Sequence, residues 1–259
     1  MSPARSTDDH WERWGREDPY YGVYAHDSMR RERLTADALD HFFASGQTHI
    51  EGVFAYVRRY IDPAFSPRRG LDFGCGTGRL VIPMAGLMDE VAGMDISSSM
   101  LDEARRNIDA RDLHNVHLLK SDDALSQLSG SYDFIHSYIV FQHIPPERGQ
   151  VLFQRLVKHL APGGVGALHI LFGKTFHAAN FGQTPSSFHD RILAVKRGVH
   201  RLLMRLMGRK AATEPEMQMN IYDLNTLFFM LKTAGVGEIH TTFEDHGGEW
   251  SAFLFFRKP

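Results

Sequence analysis

The stretch Leu71-Asp72-Phe73-Gly74-Cys75-Gly76-Thr77-Gly78 places glycine at every second position directly after a short apolar run. Glycine tolerates positive φ and lets a ligand lie against bare backbone, so this spacing predicts a sharp turn from a strand into a helix. Asp95 follows 17 residues after Gly78, at the end of the next predicted strand. A carboxylate there can accept hydrogen bonds from both hydroxyls of a ribose, and this is the expected ligand edge of an α/β sheet.

The regions around this glycine loop alternate short apolar runs with amphipathic segments, which is typical of a parallel sheet with crossover helices. Five strands are predicted near 69–73, 90–95, 115–120, 132–138 and 165–172. Helices are predicted over Arg79–Met88, Ser98–Ala110 and Glu147–Leu160, the last ended by Ala161-Pro162-Gly163-Gly164. Outside this core, we expect helices over Thr48–Ile61 and near 222–234, and two late strands near 236–244 and 249–256.

The length and composition favour one catalytic domain with appended segments. A chain of 259 residues without internal repeats or clear linkers can bury one substantial core. We divide this single domain into an N-terminal lid with helices (1–66), a cofactor-binding core (67–172), a basic helical insert (173–220) and a C-terminal helix with a β-hairpin (221–259).

Charge and hydropathy exclude several classes of protein. The net charge of −2 lacks the positive field of a nonspecific nucleic-acid binder, so no nucleic-acid partner is expected. No apolar stretch approaches the roughly 20 residues of a membrane span, and the charged start does not resemble a secretory signal. The single cysteine, Cys75, excludes an intrachain disulfide and fits a reducing compartment. We therefore expect a cytoplasmic protein.

Two details of the glycine loop indicate the charge of its ligand. A glycine-rich turn alone is a weak signal, because the same turn occurs without any ligand. Here the spacing is GxGxG rather than GxGxxG, and the Asp72 carboxylate beside the loop would repel a pyrophosphate. A cationic ligand would be favoured by that carboxylate, and S-adenosylmethionine carries both a sulfonium and an ammonium group.

At this point the sequence resembles the class I S-adenosylmethionine-dependent methyltransferases over about a hundred residues. Leu71–Leu80 resembles their motif I, Val91–Leu101 their motif II and Tyr132–Ile144 their motif IV. The resemblance implies a doubly wound, mostly parallel seven-stranded sheet in which the late hairpin supplies one antiparallel strand. It also implies S-adenosylmethionine as the cofactor and methyl transfer as the activity.

The resemblance also assigns residues to the cofactor. The glycine loop would pack against the methionine part, Asp95 would hold the ribose, and Asp122 or Asp123 would contact the adenine amino group. The alternative for Asp95 is a plain helix N-cap, and for Cys75 a small buried residue rather than a nucleophile. The expected cofactor-binding set is Asp72, Gly74, Cys75, Gly76, Gly78, Asp95, Ile96, Met100, Asp122, Asp123 and Ser137.

The acceptor pocket in this fold lies over the carboxyl ends of strands four and five, here near residues 136–145. His143 is the candidate general base and a substrate contact, with a packing role as its alternative, although methyl transfer needs alignment more than a base. Tyr138 and Gln142 are further candidate substrate contacts. The region lacks the (D/N/S)PP(Y/F) signature by which amino methyltransferases bind a planar nitrogen. This absence disfavours methylation of such a nitrogen and favours O-methylation or aliphatic N-methylation of a small molecule.

Histidines away from this point receive a structural interpretation. Strand alternation would bury His136 and His169 against a helix. No HExxH motif or Cys/His cluster occurs, so the sequence predicts no structural metal.

Two appended segments are expected to select the substrate. Aromatic residues near the N-terminus would either cover the pocket or attach the segment to the core; among them, Tyr20 and Tyr21 are predicted to contact the substrate. His189–Lys210 carries seven Lys or Arg against one Asp beside an apolar face. Such a helix would serve as a lid or homodimer contact, lie on an anionic membrane, or bind an anionic macromolecule.

Three functions follow from these features. The leading hypothesis is an enzyme that methylates a small metabolite. The first alternative is a peripheral membrane methyltransferase of a lipophilic, quinone-like acceptor, because ubiquinone-pathway O-methyltransferases resemble this layout of core and basic insert. The second alternative is a noncatalytic methyltransferase-like subunit.

Overall fold

A seven-stranded mixed sheet forms the centre of the computed structural model, which describes residues 6–175 and 214–259. The order of strands is β3-β2-β1-β4-β5-β7-β6, and β7 runs antiparallel to both β5 and β6. The predicted fold class is confirmed. The strands are β1 (Arg69–Phe73), β2 (Glu90–Asp95), β3 (Val116–Lys120), β4 (Tyr132–Ser137), β5 (Leu160–Lys174), β6 (Ile239–Asp245) and β7 (Glu249–Arg257).

Helices cover both faces of this sheet. One face packs against α3, α4 and α5, and the other packs against α6 and α7. Because both faces are covered, β1 and β2 are almost continuously buried, which explains why most of their residues apart from Asp72 and the strand ends are apolar. The helices are α1 (Thr7–Glu17), α2 (Pro19–Val23), α3 (Ala36–Tyr60), α4 (Val81–Ala85), α5 (Ser98–Asp109), α6 (Pro146–His159) and α7 (Leu224–Thr233).

Three elements differ in extent from the predictions. Helix α3 begins at Ala36 rather than Thr48, because the Thr35 hydroxyl accepts a hydrogen bond from the Ala38 amide and caps the helix. Helix α4 is shorter than predicted, since it begins only at Val81. Strand β5 is longer, because it pairs with β7 as far as Lys174, opposite Glu249.

Helices are predicted for the N-terminal segment, but the bounds of α1 and α2 are not. Helix α1 starts with a capping box in which Ser6 and Asp9 exchange hydrogen bonds between side chain and backbone. It then packs on α5, at the edge of the sheet where the glycine loop lies. The predicted basic helix within 189–210 falls outside the described residues. In the part of the chain that the structure describes, no helix combines the length and apolar character that crossing a membrane requires.

Candidate active site

The glycine loop after β1 requires glycine for steric reasons. Gly74, Gly76 and Gly78 have φ of 79°, 51° and 88°, a region that other residues rarely adopt. A Cβ atom on Gly74 would lie 2.3 Å from Val140, and one on Gly76 would lie 2.5 Å from Val23. The backbone of this loop is therefore bare toward the space beside it.

Asp95, at the end of β2, is held by the same loop. Its carboxylate accepts hydrogen bonds from the amides of Gly76 and Ser97, both at 2.8 Å. Burial raises the pKa of Asp95 to about 6, although these two hydrogen bonds lower it. Each oxygen keeps a lone pair for a further donor. The N-cap of α5 is Ser97, whose hydroxyl accepts from the Met100 amide, so the alternative of Asp95 as a plain N-cap is wrong.

Two opposite charges lie beside the glycine loop. Asp72 accepts a hydrogen bond from His136 Nδ1 through Oδ1 (2.8 Å), whereas its buried Oδ2 has no hydrogen-bond partner among the described residues. Arg79 is also buried; its Nη1 donates to Ser45 Oγ at 3.3 Å, and within the same described residues its Nε has no acceptor. Buried polar atoms of this kind are costly unless a ligand satisfies them. An ammonium at Asp72 and a carboxylate at Arg79 would do so.

These groups line one cavity, which encloses about 980 Å³ including its open mouth. The cavity brings together most of the predicted site. The predicted residues in its wall are Asp72, Gly74, Cys75, Gly76, Asp95, Ile96, Met100, Tyr138 and His143.

Helix α1 closes one side of the cavity. Glu12 accepts hydrogen bonds from the hydroxyls of Ser97 (3.0 Å) and Ser99 (2.6 Å) and from the Ser99 amide at the start of α5. On the other side of the cavity, Asp8 pairs with Arg148 through two hydrogen bonds. The Thr7 hydroxyl donates a hydrogen bond of 2.9 Å to the backbone oxygen of His143, which precedes α6. The helix therefore spans the cavity and is anchored at both sides.

His143 faces this helix. Its ring lies 4.8 Å from the ring of Trp11, and its Nδ1 lies 2.7 Å from the Gln218 carbonyl oxygen. A carbonyl oxygen only accepts, so Nδ1 carries the proton and Nε2 is free to accept one. Burial lowers the pKa of His143 to about 4, although its hydrogen bond to Gln218 raises it. At neutral pH the imidazole is uncharged and weakly basic, which suits orientation of an acceptor better than storage of a proton.

The comparisons with known proteins agree with this geometry. Residues 71–164 match the sequence model of a family described as "Methyltransferase domain". The ubiquinone biosynthesis O-methyltransferase of Burkholderia vietnamiensis is 31% identical over 105 residues, which are 38% of this chain and 41% of that protein. The magnesium-protoporphyrin O-methyltransferase of Synechocystis is 31% identical over 103 residues, 37% of this chain and 45% of that protein. The chain thus spans less than half the length of these curated relatives.

Residues 71–164 thus match a methyltransferase domain, and the sheet has the class I methyltransferase fold. The fold of the chain is similar to the crystal structure of magnesium protoporphyrin IX methyltransferase from Synechocystis with bound S-adenosylhomocysteine. The TM-score is 0.61 over 97% of this chain and 98% of that chain, at 19% identity. A second crystal structure of that neighbour contains bound S-adenosylmethionine, and the charges of Asp72 and Arg79 would fit the ammonium and carboxylate of its methionine part.

Four residues predicted to bind the cofactor lie outside the wall of this cavity. The Asp122 carboxylate accepts from the amide and hydroxyl of Ser126, and Asp123 pairs with Arg148. Ser137 donates to the Phe73 carbonyl between β4 and β1. A Cβ on Gly78, the fourth, would face Ala104 on α5. In the turn directly after β3, Ser121 lines the cavity, whereas Asp122 and Asp123 do not. The contact of Asp122 or Asp123 with adenine therefore remains a prediction that the geometry does not support.

Three predicted substrate contacts are also placed elsewhere in the described structure. The Tyr20 hydroxyl lies 2.7 Å from Glu103 and 3.0 Å from Asn107, and its ring packs on Phe42. The Tyr21 ring lies 3.3 Å from the Arg30 guanidinium. Gln142 contacts Met219 and Asn220. Tyr20 therefore attaches the N-terminal segment to α5 and Tyr21 packs within that segment, whereas Trp11 covers the cavity.

Several cavity residues were not in the predicted site. Arg79 directly follows the glycine loop, so its position was the one signal available in the sequence. Asp8 and Arg148 are 140 residues apart in the chain, and no local pattern indicates their pairing. The same holds for Thr7, which contacts the backbone of His143.

Proposed function

We propose that the protein transfers the methyl group of S-adenosylmethionine to an oxygen or nitrogen atom of a small-molecule acceptor. The observation that carries this proposal is the pair of buried, incompletely satisfied charges at Asp72 and Arg79, beside bare glycine backbone and within one cavity with Asp95. This arrangement offers a partner to each of the ammonium, carboxylate and ribose of the cofactor.

Methyl transfer does not require a basic side chain of the protein. The acceptor's lone pair forms a bond to the methyl carbon as the carbon–sulfur bond breaks, and the sulfonium becomes a neutral thioether. The acceptor's proton leaves to solvent or to a neighbouring group. The protein's part is alignment and exclusion of water, which the cover formed by α1 and Trp11 favours.

The acceptor would lie between the sulfonium and the wall formed by Tyr138 and His143. The free Nε2 of neutral His143 suits a hydroxyl or amine donor, so we assign it the role of orienting the acceptor. The Tyr138 hydroxyl donates to Glu244 at 3.2 Å, which fixes its ring against the cavity.

A lipophilic acceptor is the second candidate. The wall beside His143 is apolar, with Trp11, Val140, Ile144 and Leu152 in it, and one relative acts in ubiquinone biosynthesis while another acts on magnesium-protoporphyrin. The basic insert would then lie on an anionic membrane. Flotation with anionic vesicles of wild type against Arg201→Glu/Arg205→Glu tests this version, and equal flotation of both proteins, or none, would contradict it.

The central test is transfer of label from methyl-labelled S-adenosylmethionine to fractionated cell extract. We expect label in the aqueous pool for a polar metabolite or in the organic pool for a lipophilic one. Asp95→Ala should abolish transfer and weaken cofactor binding in calorimetry, whereas Asp102→Ala, an exposed aspartate on α5, should change neither. Tight cofactor binding without transfer into any pool would favour the noncatalytic subunit, and unchanged binding by Asp95→Ala would refute the cofactor site.

A further inference from the structure

A second group of polar side chains lies beyond Tyr138, where β5 meets the turn between β6 and β7. His246 Nε2 lies 3.0 Å from Glu244 Oε2, and His169 Nε2 lies 3.7 Å from the same oxygen. One ligand atom from each of the three residues lies within 4.8 Å of the other two. Two imidazoles and one carboxylate therefore converge on one point.

His169 is the unusual member of this group. It is 1% exposed, and neither ring nitrogen has a hydrogen-bond partner among the described residues. A buried imidazole in this state loses its hydration without compensation, which is costly. Its 3.7 Å separation from Glu244 is too long for a hydrogen bond. It is close to the separation of about 3.4 Å between two ligands of a tetrahedral ion at about 2.1 Å from each.

We propose that His169, Glu244 and His246 bind a divalent transition-metal ion of the zinc class. Two histidines and one glutamate are a known ligand set for zinc sites that keep a fourth position open. Relative to the ideal separation of about 3.4 Å, the His169–Glu244 pair (3.7 Å) must approach by about 0.3 Å and the Glu244–His246 pair (3.0 Å) must separate by about 0.4 Å. His246 precedes Gly247 and Gly248, whose φ of 72° and 97° allow the turn to adjust where other residues would be strained.

Neighbouring side chains support such an ion. The Tyr138 hydroxyl donates to Glu244 Oε2 at 3.2 Å and so orients the carboxylate, as hydrogen bonds around metal ligands commonly do. The Tyr138 ring also packs on His169, with centroids 4.8 Å apart. Because Tyr138 lines the methyltransferase cavity, the metal site would adjoin its acceptor side. The site is nevertheless defined by its own ligands and does not depend on the proposed function.

The same strand provides a matched control. Glu238 and His240 have the same spacing as Glu244 and His246, and the same 3.0 Å ion pair. His240 differs in its surroundings, since the three-residue group found in the described structure does not include it. An ordinary glutamate–histidine pair on β6 should behave like Glu238–His240, whereas a metal site requires the third ligand on β5.

The test is zinc binding by untagged protein that has been stripped with a chelator and dialysed. We expect one equivalent of Zn²⁺ per chain by calorimetry and elemental analysis, and a visible absorption band of low-symmetry Co²⁺ when cobalt replaces zinc. His246→Ala and Glu244→Gln should each weaken zinc binding by at least about tenfold and remove the cobalt band, while His240→Ala leaves both unchanged.

These variants change exposed or half-buried residues, so the fold should persist, and thermal unfolding without metal verifies it. Binding of S-adenosylhomocysteine by each variant provides a separate readout, because loss of zinc with intact cofactor binding isolates the metal site. Substoichiometric zinc in the wild type, or equal zinc affinity in His246→Ala, Glu244→Gln and His240→Ala, would overturn the proposal. The sequence predicts no metal because these ligands lie on different strands and match no local motif.

Discussion

Replacing Gly15 with alanine should detach α1 from the core and weaken cofactor binding. Gly15 is buried where α1 crosses the start of α5. A Cβ there would lie 2.7 Å from Ser97 Oγ and 2.9 Å from both the Met100 amide nitrogen and the Ser99 Cβ. The last two atoms belong to the backbone or are fixed to it, so they cannot rotate away. Helix α1 must move instead.

The magnitude follows from two opposed effects. Alanine within a helix is favoured over glycine by roughly 0.5–1 kcal/mol, which stabilises α1 itself. Overpacking at a tight contact costs about 1–3 kcal/mol, so docking of α1 loses about 1–2 kcal/mol on balance. A shifted helix also strains the hydrogen bonds of Glu12 to Ser97 and Ser99. Because α1 covers the cavity, we expect affinity for the cofactor to fall by about tenfold.

Calorimetric titration with S-adenosylhomocysteine measures this loss, and circular dichroism verifies that helical content is retained. The control is Gly52→Ala in α3, where a Cβ would meet no atom within 4 Å. This change should leave affinity unaltered and leave the thermal midpoint equal or higher. Wild-type affinity in Gly15→Ala would show that docking of α1 does not contribute to cofactor binding, and the interpretation of α1 as a cover would fail.

Two further predictions concern groups inside the cavity. Asp72→Asn keeps the size of the side chain but removes the charge, so we expect calorimetry to show about tenfold or greater loss of S-adenosylmethionine affinity, with Asp102→Asn unchanged. His143 has a lowered pKa of about 4, so it is neutral above that pH and becomes charged as the pH falls through it. The transfer rate should therefore show no His143-dependent change near its ordinary pKa of 6.5; a rate change there that His143→Gln removes would contradict the assignment.

The central strands were predictable because their residues are buried on both faces. Short runs of mostly apolar residues predicted β1 and β2 at their observed bounds, and the spacing of the glycines predicted the turn into the glycine loop. Helix α3 was predicted at only half its length, because polar residues such as Ser45 and Gln47 interrupt the apolar period in its middle. Its start depends on one cap, Thr35, which is not distinctive in sequence.

The bounds of the N-terminal helices could not be predicted for a different reason. Their apolar residues are large aromatics that pack against distant parts of the chain, such as Tyr20 on Phe42 and Trp11 on His143. No local period marks such contacts. The aromatic residues of this segment indicated either a cover over the cavity or an attachment of the segment to the core. In the structure Trp11 serves as the cover and Tyr20 as the attachment.

The candidate site therefore divides by how its residues are positioned. Asp72 and Asp95 lie at ends of strands next to a turn that only glycine permits, so short-range spacing fixes them and the cofactor side could be predicted. The acceptor side is formed by contacts between distant segments, as where the Thr7 hydroxyl and the Gln218 carbonyl bind His143 from opposite ends of the chain. The glycine loop does not determine the positions of such contacts. This is why the sequence identifies the methyl donor more sharply than the acceptor, and why Tyr138 and His143 are the positions where substitutions should change substrate preference without loss of cofactor binding.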